Sequence, residues 1–72
     1  MQKSEIARLQ KYLQEKFGNS NIRLNIRKED GDSVEVMLGS EFIGVIYRDD
    51  DDGDISYDFN MAILEMDLPA AA

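Results

Sequence analysis

Five aspartates crowd around one glycine in the run from Asp49 to Asp54. They are the one group in this 72-residue chain whose type and spacing suit a hard cation. Ca²⁺ takes several carboxylate and carbonyl oxygens at once, which makes Asp50, Asp52 and Asp54 the candidate ligands. The spacing departs from an EF-hand. Setting Gly53 at that loop's sixth position puts Asp50 and Asp52 at the third and fifth, but Arg48 at the first and Phe59 at the twelfth, where carboxylates are needed. The plainer reading is a solvated turn whose charge also discourages aggregation at a sheet edge.

Other chemistries have less to work with. The chain has no cysteine and no histidine, so it lacks thiol nucleophiles, disulfides, the commonest metal ligands and the commonest general base. Catalysis would fall to carboxylates such as Glu35 and Asp58, which strand alternation puts on one sheet face. Outward polar residues near Arg23 and Arg27 are the simpler account of that pair, so no enzymatic activity and no cofactor are expected.

The net charge is −7, unevenly spread: residues 1–28 hold seven Lys or Arg against two acids, and residues 29–72 hold one Arg against thirteen acids. Neutralisation of an acidic sheet by a basic helix and first strand within one fold accounts for this layout. Lys3, Arg8, Lys11 and Lys16 fall on a helix and Arg23, Arg27 and Lys28 near an outer sheet face, so they form no continuous phosphate stripe and carry no interleaved aromatics. Nucleic acid is not an expected partner. An acidic protein imitating nucleic acid to occupy a basic partner also fits the second half of the chain. No apolar run approaches the ~20 residues of a membrane helix. MQKSEIARLQ at the N-terminus lacks the apolar core of a secretory signal, so the expected compartment is the cytoplasm and no membrane is expected as a partner.

The elements that hold these residues follow from periodicity. Ile6, Leu9, Leu13 and Phe17 line one side of an amphipathic helix of about 14 residues, with Ser4 as N-cap and Gly18 closing its C-terminus. Ile22, Leu24 and Ile26 alternate with Arg23, Asn25 and Arg27 as a first strand, and Val34, Val36 and Leu38 mark a second. Gly39-Ser40 is the glycine-first loop of a type II′ hairpin. Leu38 opposite Glu41 would set Val36 against Ile43 and Val34 against Val45. A third strand from Phe42 to Tyr47 and a fourth from Ile55 to about Met66 complete the sheet, with Tyr47 facing Ile55 and Asn60 facing Phe42. Residues 61–68 also read as a helix capped by Asn60. Pro69 ends either element, and residues 69–72 are expected to fray. The expected fold is α+β: one domain over residues 1–72, with an N-terminal helix packed on a four-stranded antiparallel β-meander.

EIARLQKYL, FGN and especially DSVEVMLGSEFIGVIYRDDDDGDISYDFNMAILEMDL resemble a family of short bacterial proteins known only as a domain of unknown function. The resemblance covers nearly the whole chain. It implies a small α+β domain in a bacterial cytoplasm and brings no activity, cofactor or site residue with it.

The register above leaves Met37, Phe42 and Ile46 on the face opposite the helix, with Gly44 among them. That face, together with Leu64 on the strand that overruns its partner, is the expected protein-contact surface. A small protein-interaction module, able to pair with a second copy of itself, is the expected function, with a divalent-cation protein using the aspartate loop as the alternative.

Overall fold

The structure is a computed structural model, described here for residues 1–27, 31–51 and 53–71. Helix α1 spans Lys3–Phe17, and four strands follow: β1 Ile22–Ile26, β2 Ser33–Leu38, β3 Glu41–Asp49 and β4 Ser56–Asn60. A 3₁₀ turn at Glu65–Asp67 comes last. The sheet is antiparallel in the order β1-β2-β3-β4, so the α+β meander expected from periodicity is the fold.

The helix starts two residues earlier than Ser4 suggests. Gln2 precedes its first residue, and the Gln2 N–H donates to Glu5 Oε1 at 3.3 Å. Glu5 at the third helical position takes the part of the capping carboxylate and leaves Ser4 inside the first turn. Gly18 closes the other end with φ 59°.

Ile6 and Leu13 from α1 pack on Ile22, Leu24, Val34, Val36 and Ile46 to make the core, with Met1, Leu9, Ile43, Tyr57 and Phe59 around it. Phe17, the last member of the helical stripe, is exposed, as is Ile26 at the end of β1. The helix also serves an edge of the sheet. Gln10 Oε1 accepts from the Leu24 N–H at 2.9 Å, and Gln14 Nε2 donates to the Ile22 carbonyl at 2.8 Å. Leu24 and Ile22 sit on the outer strand, where these groups have no neighbouring strand. Two glutamines one turn apart therefore satisfy two backbone groups of an edge strand.

Gly39 and Ser40 join β2 to β3 with Leu38 opposite Glu41, and Gly39 at φ 63° meets the demand for positive φ at the first turn position. The next pair is Met37 with Phe42, after which the register shifts. Val36 faces Gly44 rather than Ile43, and Val34 faces Ile46 rather than Val45. Ile43 is the extra residue of a β-bulge, and one inserted residue turns every later side chain of β3 to the other face. Ile46 thus belongs to the core, while Val45 and Tyr47 face outward.

The β3–β4 register is also displaced from expectation: Tyr47 faces Asp58, and Val45 faces Asn60. Strand β4 stops at Asn60 instead of running on to Met66. The end of β3 from Glu41 to Gly44 is therefore the overrunning strand, the reverse of what the sequence predicts.

Candidate functional site

The sheet face away from the helix is built in rows. Met37 stands beside Phe42, Glu35 beside Val45, and Ser33 beside Tyr47. After Asn60 the chain leaves the sheet and passes this end of β3, so that Phe42, Ile43, Gly44, Val45 and Tyr47 and the stretch Asn60–Leu64 line one open concavity of about 990 Å³. Phe42, Met61, Ile63 and Leu64 are each more than half exposed there. The wall is apolar and the rim acidic, with Glu41 and Asp67 at its margins.

Of the contact residues expected from the sequence, Phe42 and Leu64 meet in this concavity, and Met37 adjoins it through its pairing with Phe42. Ile46 does not: only 2% exposed, it lies under the helix because the bulge reverses its direction. Val45, Tyr47, Met61 and Ile63 were not anticipated. Gly44 inside an otherwise alternating strand was the available signal, since such a glycine often marks a bulge.

Glycine at this position has a second cause. A Cβ on residue 44 would lie 2.5 Å from the Asn60 carbonyl oxygen and 2.6 Å from the Phe59 ring. Phe59 closes over the place where a side chain would stand, and the backbone of β4 approaches as closely as it does because nothing intervenes.

A second apolar groove runs on the helix side, between α1 and β4, lined by Leu9, Tyr12, Leu13, Ile46 and Phe59 with Arg8 at its margin. At its end near the helix N-terminus the Tyr57 hydroxyl donates to Glu5 Oε2. Arg48 Nε sits 3.1 Å from the same oxygen as an ion pair without hydrogen-bond alignment, and Arg48 Nη1 lies 3.6 Å from Asp50. The Tyr57 hydrogen bond, helped by the Gln2 N–H and the Arg48 guanidinium, holds the Glu5 carboxyl below its ordinary value against the opposing effect of burial. The same hydrogen bond raises the Tyr57 phenol. Both shifts move away from neutrality, whereas acid–base catalysis calls for values brought towards the working pH. The cluster has the character of a clamp between helix and sheet.

Glu35 and Asp58 share the outer face but have β3 between them, because Asp58 is opposite Tyr47 and Glu35 opposite Val45. Of the aspartate ligands expected from the sequence, Asp52 lies outside the described residues, as does Lys28 of the basic set. Asp49 caps its own turn by accepting from the Asp51 N–H at 3.0 Å. Among the described residues no three acidic side chains converge on a common point. No helix is long and apolar enough to cross a membrane.

One helix on a four-stranded meander, with an open apolar concavity on its outer face, defines a small α+β domain. The chain belongs to the family described as Protein of unknown function (DUF3126), whose model matches residues 5–67. The match spans every element from the first turn of α1 to the 3₁₀ turn and stops before the terminal alanines. No curated protein and no solved structure matches the chain.

Proposed function

We propose that this protein is a small protein-interaction module of the bacterial cytoplasm, without catalytic activity of its own. The observation that carries this reading is the outer concavity, in which exposed apolar side chains lie beside strand backbone that β4 does not pair. Phe42, Met61, Ile63 and Leu64 supply the apolar wall, and Glu41 to Gly44 of β3 extend past the end of β4. A polypeptide satisfies both features at once, because an added strand or loop pairs with the free backbone while its side chains cover the apolar wall. The mixture of aromatic and methionine side chains in and around the concavity is the composition that protein contacts favour.

Photo-crosslinking in the native cell tests this. With a photoreactive residue in place of Tyr47 or Ile63, discrete adducts of higher mass are expected. The same residue in place of Asp54, in the acidic loop, serves as the control. Adduct patterns at Tyr47 and Ile63 no different from the Asp54 control would refute the reading.

A further inference from the structure

The segment Met61–Leu68 is an apolar arm that leaves its own domain uncovered. Met61, Ile63, Leu64, Met66 and Leu68 are all more than half exposed, Met66 reaching 85%. The molecule is drawn out accordingly. Its Cα radius of gyration is 13.8 Å and its longest extent 46 Å, against a radius of ~11 Å for a compact chain of this length.

The helix-side groove has the dimensions and charge to receive such an arm. Eight residues in extended form reach ~26 Å, and the 15-residue helix that forms one bank is ~22 Å long. Leu9, Tyr12, Leu13 and Phe59 give the groove an apolar floor and wall. The bank itself is basic: Arg8, Tyr12 and Lys16 follow at intervals of four residues along one ridge of the helix. The arm carries Glu65 and Asp67 and no base. Glu5, the acid at the end of the groove, is already engaged by Tyr57 and Arg48. The outer concavity is a poorer seat for a second copy's arm, because the chain's own Met61–Leu64 and Asp67 already form part of its wall and Glu41 adds an acid of the arm's own sign.

The arm of the same chain turns the other way. Met61 lines a hollow beside Phe17 that adjoins the groove at Leu13 and Phe59, but Ala62, Ile63 and Leu64 pass to the opposite face of the sheet. The groove is thereby left open to an arm from outside.

From this complementarity of length, apolar surface and charge, we propose that two copies of the chain associate by reciprocal exchange, the arm Met61–Leu68 of each lying in the groove between α1 and β4 of the other. The exchange is isologous and closes with two copies. It deepens the protein-interaction reading and rests on it, naming the partner as a second copy.

The absence of cysteine makes the test direct. Full-length Tyr12→Cys and Met66→Cys chains are mixed and oxidised, and sedimentation of the unmodified chain is followed to high-micromolar concentration. A sedimenting dimer is expected, with the crossed disulfide between the two variants in clear excess over either self-pair. The double variant Glu65→Lys/Asp67→Lys is expected to raise the dimer Kd by about tenfold or more, the scale of losing charge-assisted contacts. The sign discriminates, because these substitutions reduce the net charge of −7 and would tighten association if overall repulsion governed it. A strictly monomeric parent overturns the proposal, as does a dimer without the crossed disulfide. An intramolecular disulfide in a monomeric Tyr12→Cys/Met66→Cys chain does so too. Photo-crosslinks that persist at Tyr47 and Ile63 in any of these cases leave the broader interaction reading standing. Their loss removes both.

Discussion

The Tyr57 hydroxyl donates to the Glu5 carboxylate and so joins the last strand to the first turn of the helix, across 52 residues of chain. The same carboxylate accepts from the Gln2 N–H that opens the helix and pairs with Arg48 of β3. One side chain therefore caps the helix and clamps it to two strands. Removing the hydroxyl by Tyr57→Phe leaves a partly buried carboxylate short of a partner. The expected cost is about 1 to 3 kcal/mol, measured by urea unfolding.

The pH dependence of that cost has a definite sign on each side. Glu5 is lowered from 4.5 in the native state, so the stability it contributes is present above that value and is lost as pH falls through its native pKa. Tyr57 is raised from 10.0, so its contribution is present below that value and is lost as pH rises through its native pKa. The difference in stability between the parent and Tyr57→Phe should be flat from about pH 5.5 to about 9 and narrow on both sides. A difference independent of pH across the whole range would show that the two groups are not coupled.

Gln10 and Gln14 each bond one outward backbone group of β1. Gln10→Ala should cost about 0.5 to 1.5 kcal/mol and speed hydrogen exchange at the Leu24 amide more than at Arg23 or Asn25. Gln14→Ala removes a donor from the Ile22 carbonyl and should leave the Leu24 amide protected. Equal acceleration of all three amides would mean that the helix acts on β1 only through packing.

Gly44 stands where the Asn60 carbonyl and the Phe59 ring leave no room for a methyl group. Gly44→Ala should destabilise by about 1 to 3 kcal/mol, a fall in Tm of roughly 4 to 8 °C per kcal/mol for a domain of this size. An unchanged or higher Tm would show that β4 moves aside freely.

Leu13→Ala and Phe17→Ala separate the buried part of the helical stripe from its exposed end. Leu13 is in the core, and its truncation should cost about 2 to 5 kcal/mol. Phe17 is 59% exposed and should cost well under half as much. Comparable midpoints in thermal melts of the two variants would place the helix wrongly on the sheet.

The helix, the four strands and the Gly39-Ser40 turn were legible because each is a local pattern: a 3.6-residue stripe, alternation, and a turn dipeptide. The faces of β3 were not, because a single bulge at Ile43 reverses them and alternation is blind to one inserted residue. Tyr57 and Phe59 face the helix. The bulge turned Tyr47 away, and the displaced β3–β4 pairing set Tyr57 beside Arg48 and Phe59 beside Ile46. The meeting of Glu5, Arg48 and Tyr57 depends on contacts far apart in sequence, for which no local signal exists. Residues 61–68 misled because their apolar alternation fits a strand, while the chain had already parted from β3 where Phe59 and the Asn60 carbonyl close over Gly44.

The glutamine pair on β1 also limits what the sheet can become. In the language of polymer chemistry, a sheet with two free edges is a bifunctional monomer and adds partners without end, whereas one with a single free edge is monofunctional. Gln10 and Gln14 occupy two of the backbone groups through which β1 would propagate, the Leu24 N–H and the Ile22 carbonyl. Growth by strand addition is thereby biased to the β3–β4 side, and the closer a unit comes to being monofunctional, the sooner its growth terminates.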